Sequence, residues 1–182
     1  ALVFQPQIAA RDGAMVGAEA LLRWRHPDGL RMPAHFIPRA EESGLIVEIG
    51  QWVTKTVAQT LTRWADMGIE QRLAINISAR QLDHASFFRG LRDALRCENA
   101  PASLLELEIT ESVFLGDADR SQRMFAELKD LGVRLALDDF GTGYSSLSYL
   151  RTAPFDKIKI DQSFVRGATE EGNNNAAILS AI

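Results

Sequence analysis

Short apolar segments alternate with longer amphipathic segments along the 182-residue chain. A strand–helix–strand pattern repeated in this way implies parallel strands joined by right-handed crossovers. Two amphipathic segments, 46–67 and 117–131, are each followed by a glycine, which favours the end of a helix. We therefore predict an α/β fold with strands at residues 2–8, 16–23, 73–77, 104–109, 134–137 and 157–160.

Polar residues stand at or near the ends of these predicted strands. From the second to the sixth predicted strand, these residues are Glu19; Asn76; Glu108 and Glu111; Asp138 and Asp139; and Lys159 and Asp161. Parallel strands place their carboxyl ends on one rim, where α/β barrels and open α/β sheets both carry their active sites. The sequence therefore predicts that these side chains converge although they are far apart along the chain.

Each strand taken alone allows an ordinary interpretation. Strand periodicity puts Glu19, Leu21 and Arg23 on one face, which suits a metal-binding acid and a phosphate-binding guanidinium. An arginine paired with some other acid would give the same pattern. Glu106 and Glu108 also share a face, as they would on a two-faced surface strand. However, the neighbouring strands are mostly apolar, so these acids would be costly unless paired or bound to a metal.

Asp138 and Asp139 directly follow an apolar strand. Adjacent acids often begin turns. At a strand-to-loop turn, however, both can reach one site, where one bridging carboxylate beside a second ligand can hold two cations. Oxygen ligands favour Mg²⁺ or Mn²⁺. Lys159 could orient or deprotonate a water at this rim, or it could be solvated at a strand end. Together, oxygen ligands, a shared carboxylate, a lysine and a phosphate-binding arginine are the set that two-metal phosphodiester hydrolysis needs.

The net charge and the cysteine content restrict the possible binding partners and the cellular compartment. The net charge of −4 argues against binding DNA or RNA polymers, which leaves a basic footprint on a protein. The lone Cys97 cannot form an internal disulfide, which fits a reducing compartment. We therefore expect a cytoplasmic domain, although a longer parent protein could be anchored in a membrane.

Several motifs together resemble the EAL family of cyclic-di-GMP phosphodiesterases. Glu19-Ala20-Leu21-Leu22-Arg23, with Gln5-Pro6 upstream, resembles the signature that names the family. Later family motifs are matched in order by Asn76-Ile77-Ser78, Glu108-Ile109-Thr110-Glu111, Asp138-Asp139-Phe140-Gly141-Thr142-Gly143 and Lys157-Ile158-Lys159-Ile160-Asp161. The resemblance runs across residues 1–182, which we expect to form one EAL-type domain.

The resemblance implies a modified (β/α)₈ barrel with an antiparallel first strand. It implies hydrolysis of the bacterial second messenger cyclic di-GMP to linear pGpG with two divalent cations, Mg²⁺ or Mn²⁺. Glu19, Asn76, Glu108 and Asp138 would hold one cation, and Asp138 with Asp139 the other. Lys159 would contact the attacking water, and Arg23 the substrate phosphate. Gln5 and Leu21 would lie against the substrate, and Glu111 would steady the loop that begins at Phe140.

The same resemblance carries expectations about partners and completeness. Residues 140–150 resemble the family's dimerisation element, and sensory or GGDEF modules are expected in the full-length protein. A complete domain would continue for about 60 residues beyond a predicted helix at 174–182. We therefore expect the C-terminal part of the barrel, with its last two strands, to be missing from this sequence. The alternative function is a catalytically inactive cyclic-di-GMP receptor or regulatory domain.

Overall fold

The computed structural model describes residues 1–115, 118–141 and 154–163. The described strands are β1 (Leu2–Ile8), β2 (Met15–Leu22), β3 (Trp24–His26), β4 (Gly29–Arg31), β5 (Arg72–Ile77), β6 (Leu105–Thr110), β7 (Arg134–Phe140) and β8 (Lys157–Ile160). The α-helices are α1 (Ile37–Ser43), α2 (Ile46–Asp66), α3 (Ala79–Leu82), α4 (Phe87–Cys97) and α5 (Ala118–Asp130). Short 3₁₀ helices lie at Pro33–His35, Ala102–Leu104 and Glu111–Leu115.

Six strands form one sheet in the order β1-β2-β5-β6-β7-β8, and β3 and β4 form a separate hairpin. β1 runs antiparallel to β2, whereas the other four neighbouring pairs of the sheet are parallel. All six predicted strands are found with small shifts at their ends, and the antiparallel first strand is confirmed. The main difference is that β7 continues beyond its predicted end to Phe140.

The sheet is strongly curled. Lys157 Nζ, on the edge strand β8, donates a hydrogen bond of 3.1 Å to Gln7 Oε1, on the opposite edge strand β1. In a flat sheet these strands would lie about 24 Å apart, because each of five spacings measures about 4.8 Å. The sheet therefore forms part of a barrel, and the predicted TIM-barrel-like α/β fold is confirmed.

The two faces of the curled sheet differ in chemistry. The outer face packs against the helices and is apolar, with buried side chains that include Leu73, Ile75, Leu105, Leu107, Ile109 and Leu135 on the strands, and Val57, Leu61, Leu91, Leu95, Phe125 and Leu128 on the helices. The inner face carries Glu19, Glu106, Glu108, Lys157 and Lys159 instead. Burial of the outer face fixes the strand register, so the strand period of two dictates which residues point inward.

The two helices predicted from glycine stops are confirmed. Gly68 follows α2 with a φ of 71°, and Gly132 follows α5 with a φ of 81°, both in the left-handed region that glycine tolerates best. The predicted helix at 174–182 and residues 142–150 of the predicted dimerisation element lie outside the described residues. Within the part of the chain that the structure describes, we find no helix with the length and apolar character needed to span a membrane.

The β3–β4 hairpin was absent from the predicted elements. Pro27 and Asp28 connect its two strands, and Gly29, the first residue of β4, has a φ of 123°. Proline, aspartate and glycine in succession are typical of a tight turn, so the signal was present in the sequence. The strands on either side have only three residues each, too few for the alternation of polar and apolar residues to be recognised.

Candidate active site

Lys159 lies at the centre of a carboxylate cluster at the carboxyl ends of the parallel strands. Its Nζ atom is 2.6 Å from Glu108 Oε2, 3.1 Å from Asp138 Oδ2 and 3.3 Å from Glu19 Oε2. These three acids come from β6, β7 and β2. The structure therefore brings together four of the residues that the sequence assigns to the site.

Asn76 joins the cluster from β5. Its Nδ2 atom donates a hydrogen bond of 2.7 Å to Glu19 Oε1, so the two oxygens of Glu19 contact different neighbours. Asn76 is also paired in register with Glu108 on β6. The amide is thus positioned beside both carboxylates by the parallel pairing of adjacent strands.

Glu108 is almost completely removed from solvent, with 1% of its surface exposed. Burial raises its pKa to about 7, although the hydrogen bond and charge of Lys159 favour the carboxylate. The charges of Glu19 and Asp138 raise the pKa of Glu108 further. The cluster therefore concentrates negative charge in a place where water screens it poorly.

Burial alone would lower the pKa of Lys159. The hydrogen bond and charge of Glu108, followed by the charges of Asp138 and Glu19, outweigh burial and raise that pKa well above its usual range. Lys159 is consequently an ammonium group that donates hydrogen bonds in this structure.

Asp138 and Asp139 lie where the pairing of β7 with β8 becomes irregular, between Leu137 and Phe140. Asp139 has a φ of 53°, in the left-handed region, and its backbone N–H donates to Asp138 Oδ1 at 3.0 Å. This local geometry departs from the strict alternation of an extended strand. Burial, and then the charges of Asp138 and Asp161, raise the pKa of Asp139. The neighbouring carboxylates therefore disfavour the ionised form of Asp139.

Glu111 contacts the start of the next loop. Its Oε1 atom accepts a hydrogen bond of 2.9 Å from the backbone N–H of Gly141. Its Oε2 atom is buried and has no hydrogen-bond partner among the described residues. Glu111 thus links the end of β6 to the residue that follows β7, and residues 142–153 lie outside the described part of the chain.

The other predicted substrate contacts lie around this cluster. Gln5 is exposed on β1 and is paired in register with Glu19. Leu21 lines the cavity described below. Arg23 directly follows β2, and its Nη1 atom donates to the backbone oxygen of Leu22 at 2.8 Å. The structure therefore does not bring the Arg23 guanidinium into hydrogen-bond contact with the acids bound to Lys159.

A cavity of about 920 Å³ opens beside the carboxylate cluster. Asn76 and Glu108 border it on the cluster side, whereas Glu41 of α1 and Arg80 of α3 belong to the helical part of its lining. Sequence reasoning missed these last two residues, because nothing in a helix-forming segment indicates that its polar side chain borders a cavity. The volume lies within the range of small-molecule sites, about 300–1,000 Å³.

Gln81 is a third residue that sequence reasoning missed. Ser78 and Gln81 form a reciprocal capping box at the start of α3, with hydrogen bonds of 3.3 Å and 3.1 Å. This box fixes the turn that follows Asn76. The signal was available, because serine followed three residues later by glutamine is typical of a helix start.

The donor set fits a hard divalent cation. Glu108 Oε1 is buried without a hydrogen-bond partner among the described residues, and Glu19, Asp138 and Asn76 in the same cluster supply further carboxylate and amide oxygens. Such oxygens are the ligands preferred by Mg²⁺ and Mn²⁺. In the described ranges, however, no group of three or more His, Cys, Asp or Glu side chains is arranged to hold an ion by itself. Lys159 lies among the acids and bonds one oxygen of each of three carboxylates.

A family model described as EAL domain matches residues 1–182. The chain is 44% identical over 183 residues to the bifunctional diguanylate cyclase/cyclic di-GMP phosphodiesterase MucR of Pseudomonas aeruginosa, covering 100% of this chain and 27% of that protein. It is 44% identical over 164 residues to the cyclic di-GMP phosphodiesterase PdeR of Escherichia coli, covering 90% and 25%. The chain thus spans about a quarter of the length of these relatives.

Solved structures give the same assignment. The fold matches the PaMucR phosphodiesterase in complex with c-di-GMP with a TM-score of 0.94 and 43% identity, covering 100% of this chain and 74% of that chain. It matches the FimX EAL domain of Pseudomonas aeruginosa bound to c-di-GMP with a TM-score of 0.84 and 26% identity, covering 99% and 72%. The chain belongs to the EAL domain family.

Proposed function

We propose that this domain hydrolyses cyclic di-GMP to linear pGpG in a reaction that depends on divalent cations. The observation that carries the proposal is the convergence of Glu19, Glu108 and Asp138 on Lys159 at the edge of a cavity of about 920 Å³. The printed functions of MucR and PdeR, both cyclic di-GMP phosphodiesterases, support this substrate.

The cations would be two Mg²⁺ or Mn²⁺ ions held by oxygen atoms. We assign Glu19, Asn76, Glu108 and Asp138 to one cation, and Asp138 with Asp139 to the other. The buried and unpartnered Glu108 Oε1 supports the assignment, since it is an oxygen acceptor with no protein donor in the described part of the chain. When bound, such cations polarise the phosphodiester, stabilise its developing charge and lower the pKa of the attacking water.

The protein's own groups would then position the reactants. Lys159 contacts three carboxylates and would orient the attacking water with an N–H group, which requires one of these carboxylates to release its hydrogen bond. Arg23, whose Nη1 atom donates to the backbone oxygen of Leu22, would bind a substrate phosphate through its other N–H groups. Gln5 and Leu21 would contact the rest of the substrate. Glu111 would hold the loop after β7 in place through Gly141.

Partners of the whole protein are also proposals. We propose a homodimer formed through residues 140–150, of which only Phe140 and Gly141 are described. We further propose that sensory or GGDEF modules accompany the domain. The relative MucR is bifunctional and about four times longer than the part that this chain matches, which supports a multi-domain setting.

The test is to incubate the protein with cyclic di-GMP and Mg²⁺ or Mn²⁺ and to separate the products by chromatography. We expect pGpG to accumulate, to be abolished by a chelator and to return when either cation is added in excess. Glu19→Ala is the control, because it removes one proposed cation ligand and one partner of Lys159. Binding of cyclic di-GMP without pGpG above this control would contradict hydrolysis and support the receptor alternative.

A further inference from the structure

We propose that Glu106 and Lys157 form a positioning pair that holds Lys159 against Glu108. This pair lies inside the barrel, one layer below the carboxylate cluster, and none of the functions assigned above involves it. The inference rests on the proposed function, because the role of Lys159 in hydrolysis is part of that function. Glu106 and Lys157 would affect the reaction only indirectly, through the position of Lys159.

β6 and β8 each place two charged side chains on the inner face of the sheet, two residues apart. β6 presents Glu106 and then Glu108 on the inner face, and β8 presents Lys157 and then Lys159. Lys157 Nζ donates to Glu106 Oε1 in a short ion pair, and Lys159 Nζ lies 2.6 Å from Glu108 Oε2. Two acid–lysine contacts are therefore stacked along the barrel between the same two strands.

Both contacts cross β7, which lies between β6 and β8 in the sheet. Ala136 is the residue of β7 that is paired with Glu108 on one side and with Lys157 on the other. It is completely buried, and its side chain is a single methyl group. This small side chain leaves room for the two lysines to reach the acids on the far side of the strand.

In the described sheet β8 pairs with β7, and this pairing is irregular beside Lys159. The pairing is regular at Leu137 with Ile158 and resumes at Phe140 with Ile160, so the irregularity falls beside Lys159. The height and tilt of Lys159 must therefore be fixed by contacts of side chains on either side of this break.

Lys157 supplies such a contact directly below the break. It bonds Glu106 of β6 and, at 3.1 Å, Gln7 of β1, so it is tied to two strands that are not its neighbours in the sheet. Glu106 is 1% exposed, and a buried carboxylate is strongly destabilising when its cation is removed. The pair is consequently hard to separate, and it anchors β8 at the position from which Lys159 extends.

The experiment compares the protein with its Glu106→Met and Lys157→Met variants, singly and combined. Lys157→Met leaves the buried Glu106 carboxylate without its cation, and Glu106→Met leaves the partly buried Lys157 ammonium without its acid. We therefore expect each single variant to have a lower melting temperature and slower hydrolysis. The double variant replaces the pair by apolar side chains, so we expect its melting temperature to return to near that of the wild type. Its kcat should remain about tenfold to a hundredfold lower with little change in KM, since Lys159 is no longer held in place.

Two control variants distinguish a displacement of Lys159 from a general loss of protein stability. Lys157→Arg keeps the cation and should retain most of the wild-type kcat. Arg92→Met combined with Glu127→Met removes an ion pair between α4 and α5 on the outer surface, and it should leave kcat unchanged. A double variant of Glu106 and Lys157 with wild-type stability and wild-type kcat would overturn the positioning role.

A crystal structure of the double variant gives a readout that does not depend on turnover. We expect Lys159 Nζ to move by about 1 Å or more from its position beside Glu108, a displacement large enough to impair catalysis. An unchanged contact with Glu108 would overturn the inference. If the wild type itself produces no pGpG, the proposed hydrolysis fails, whereas the position of Lys159 in the two structures still decides whether the pair positions it.

Discussion

Lys159 on β8 and Glu108 on β6 form a 2.6 Å ion pair across the strand that separates them. The contact is possible because the intervening strand presents Ala136, a methyl group, toward the barrel interior. The same small residue lies beside Lys157 in the layer below. One alanine thus decides whether two lysines can reach two buried acids.

Enlarging this alanine should block both contacts. We expect Ala136→Leu to lower the free energy of unfolding by about 1–3 kcal/mol, the usual cost of adding bulk to a packed interior. We also expect a large loss of kcat for cyclic di-GMP, because Lys159 is displaced. Ala58→Leu is the matched control, since Ala58 is equally buried but lies in α2. Comparable turnover by the two variants in the same assay would argue against the blocking role.

Two glycines inside helices offer a second comparison, because one is crowded and the other is not. A Cβ atom on Gly50 would lie 1.8 Å from Gln81 Nε2, whereas one on Gly90 would meet nothing closer than 3.9 Å. Gly90→Ala should stabilise α4 by up to about 1 kcal/mol through helix propensity. Gly50→Ala should instead destabilise the protein, because Gln81 must leave the capping box that follows Asn76.

Urea unfolding of the two glycine variants measures this difference, which we expect to exceed about 1 kcal/mol. Adding Gln81→Ala to Gly50→Ala removes the steric conflict and should recover part of the loss. Equal stability of the two single variants would contradict the close approach of α2 to Gln81.

Asp139 combines a left-handed backbone with a proposed role as a cation ligand. Asparagine tolerates this backbone as well as aspartate does, so we expect Asp139→Asn to keep the free energy of unfolding within about 1 kcal/mol. Hydrolysis should nevertheless be lost, because a carboxylate has become an amide. Asp139→Ala should lose hydrolysis and also about 1–2 kcal/mol of stability. Wild-type turnover by Asp139→Asn would exclude a ligand role that needs the negative charge.

Asp156 should make stability depend on pH. Burial alone would raise its pKa, but hydrogen bonds from Lys129 and from the Leu135 N–H outweigh burial and lower that pKa below its ordinary value of 3.8. The carboxylate is therefore favoured in the folded state. Its contribution, about 1 kcal/mol, is present above about pH 4 and is lost as the pH falls through the lowered folded pKa.

The measurement is the free energy of unfolding of the wild type and of Asp156→Asn between about pH 2 and pH 7. The two curves should be separated at neutral pH and approach each other in acid. Lys129→Met should show a smaller effect, since the bond to the Leu135 N–H remains. A constant separation over the whole pH range would mean that the Asp156 charge does not act through this pKa.

Much of the fold could be predicted from patterns that are local. The alternation of apolar strands and amphipathic helices identified the six sheet strands, and the glycines after α2 and α5 marked where these helices end. The hairpin at Trp24–His26 and Gly29–Arg31 was missed because its strands are too short to show a period. Local patterns are informative only where an element is long enough to repeat.

The candidate site was also predictable only in part. Side chains alternate between the two faces of any strand, so the sequence alone indicated that Glu19, Glu108 and Asp138 would reach one rim. It could not indicate that Lys159 bonds all three, because that requires distances between strands from distant parts of the chain. The lining of the cavity by Glu41 and Arg80 likewise depends on how the helices pack.

The acids at the strand ends and the residues that face inward were therefore determined by the sequence itself, through the twofold period of a strand. Which acid each lysine contacts was decided only by the tertiary structure. Glu106 and Lys157 show the difference: both could be assigned to the inner face, but their pairing across Ala136 follows from the curl and stagger of the sheet. Curl and stagger arise from closing many strands around one interior, and no single segment encodes them.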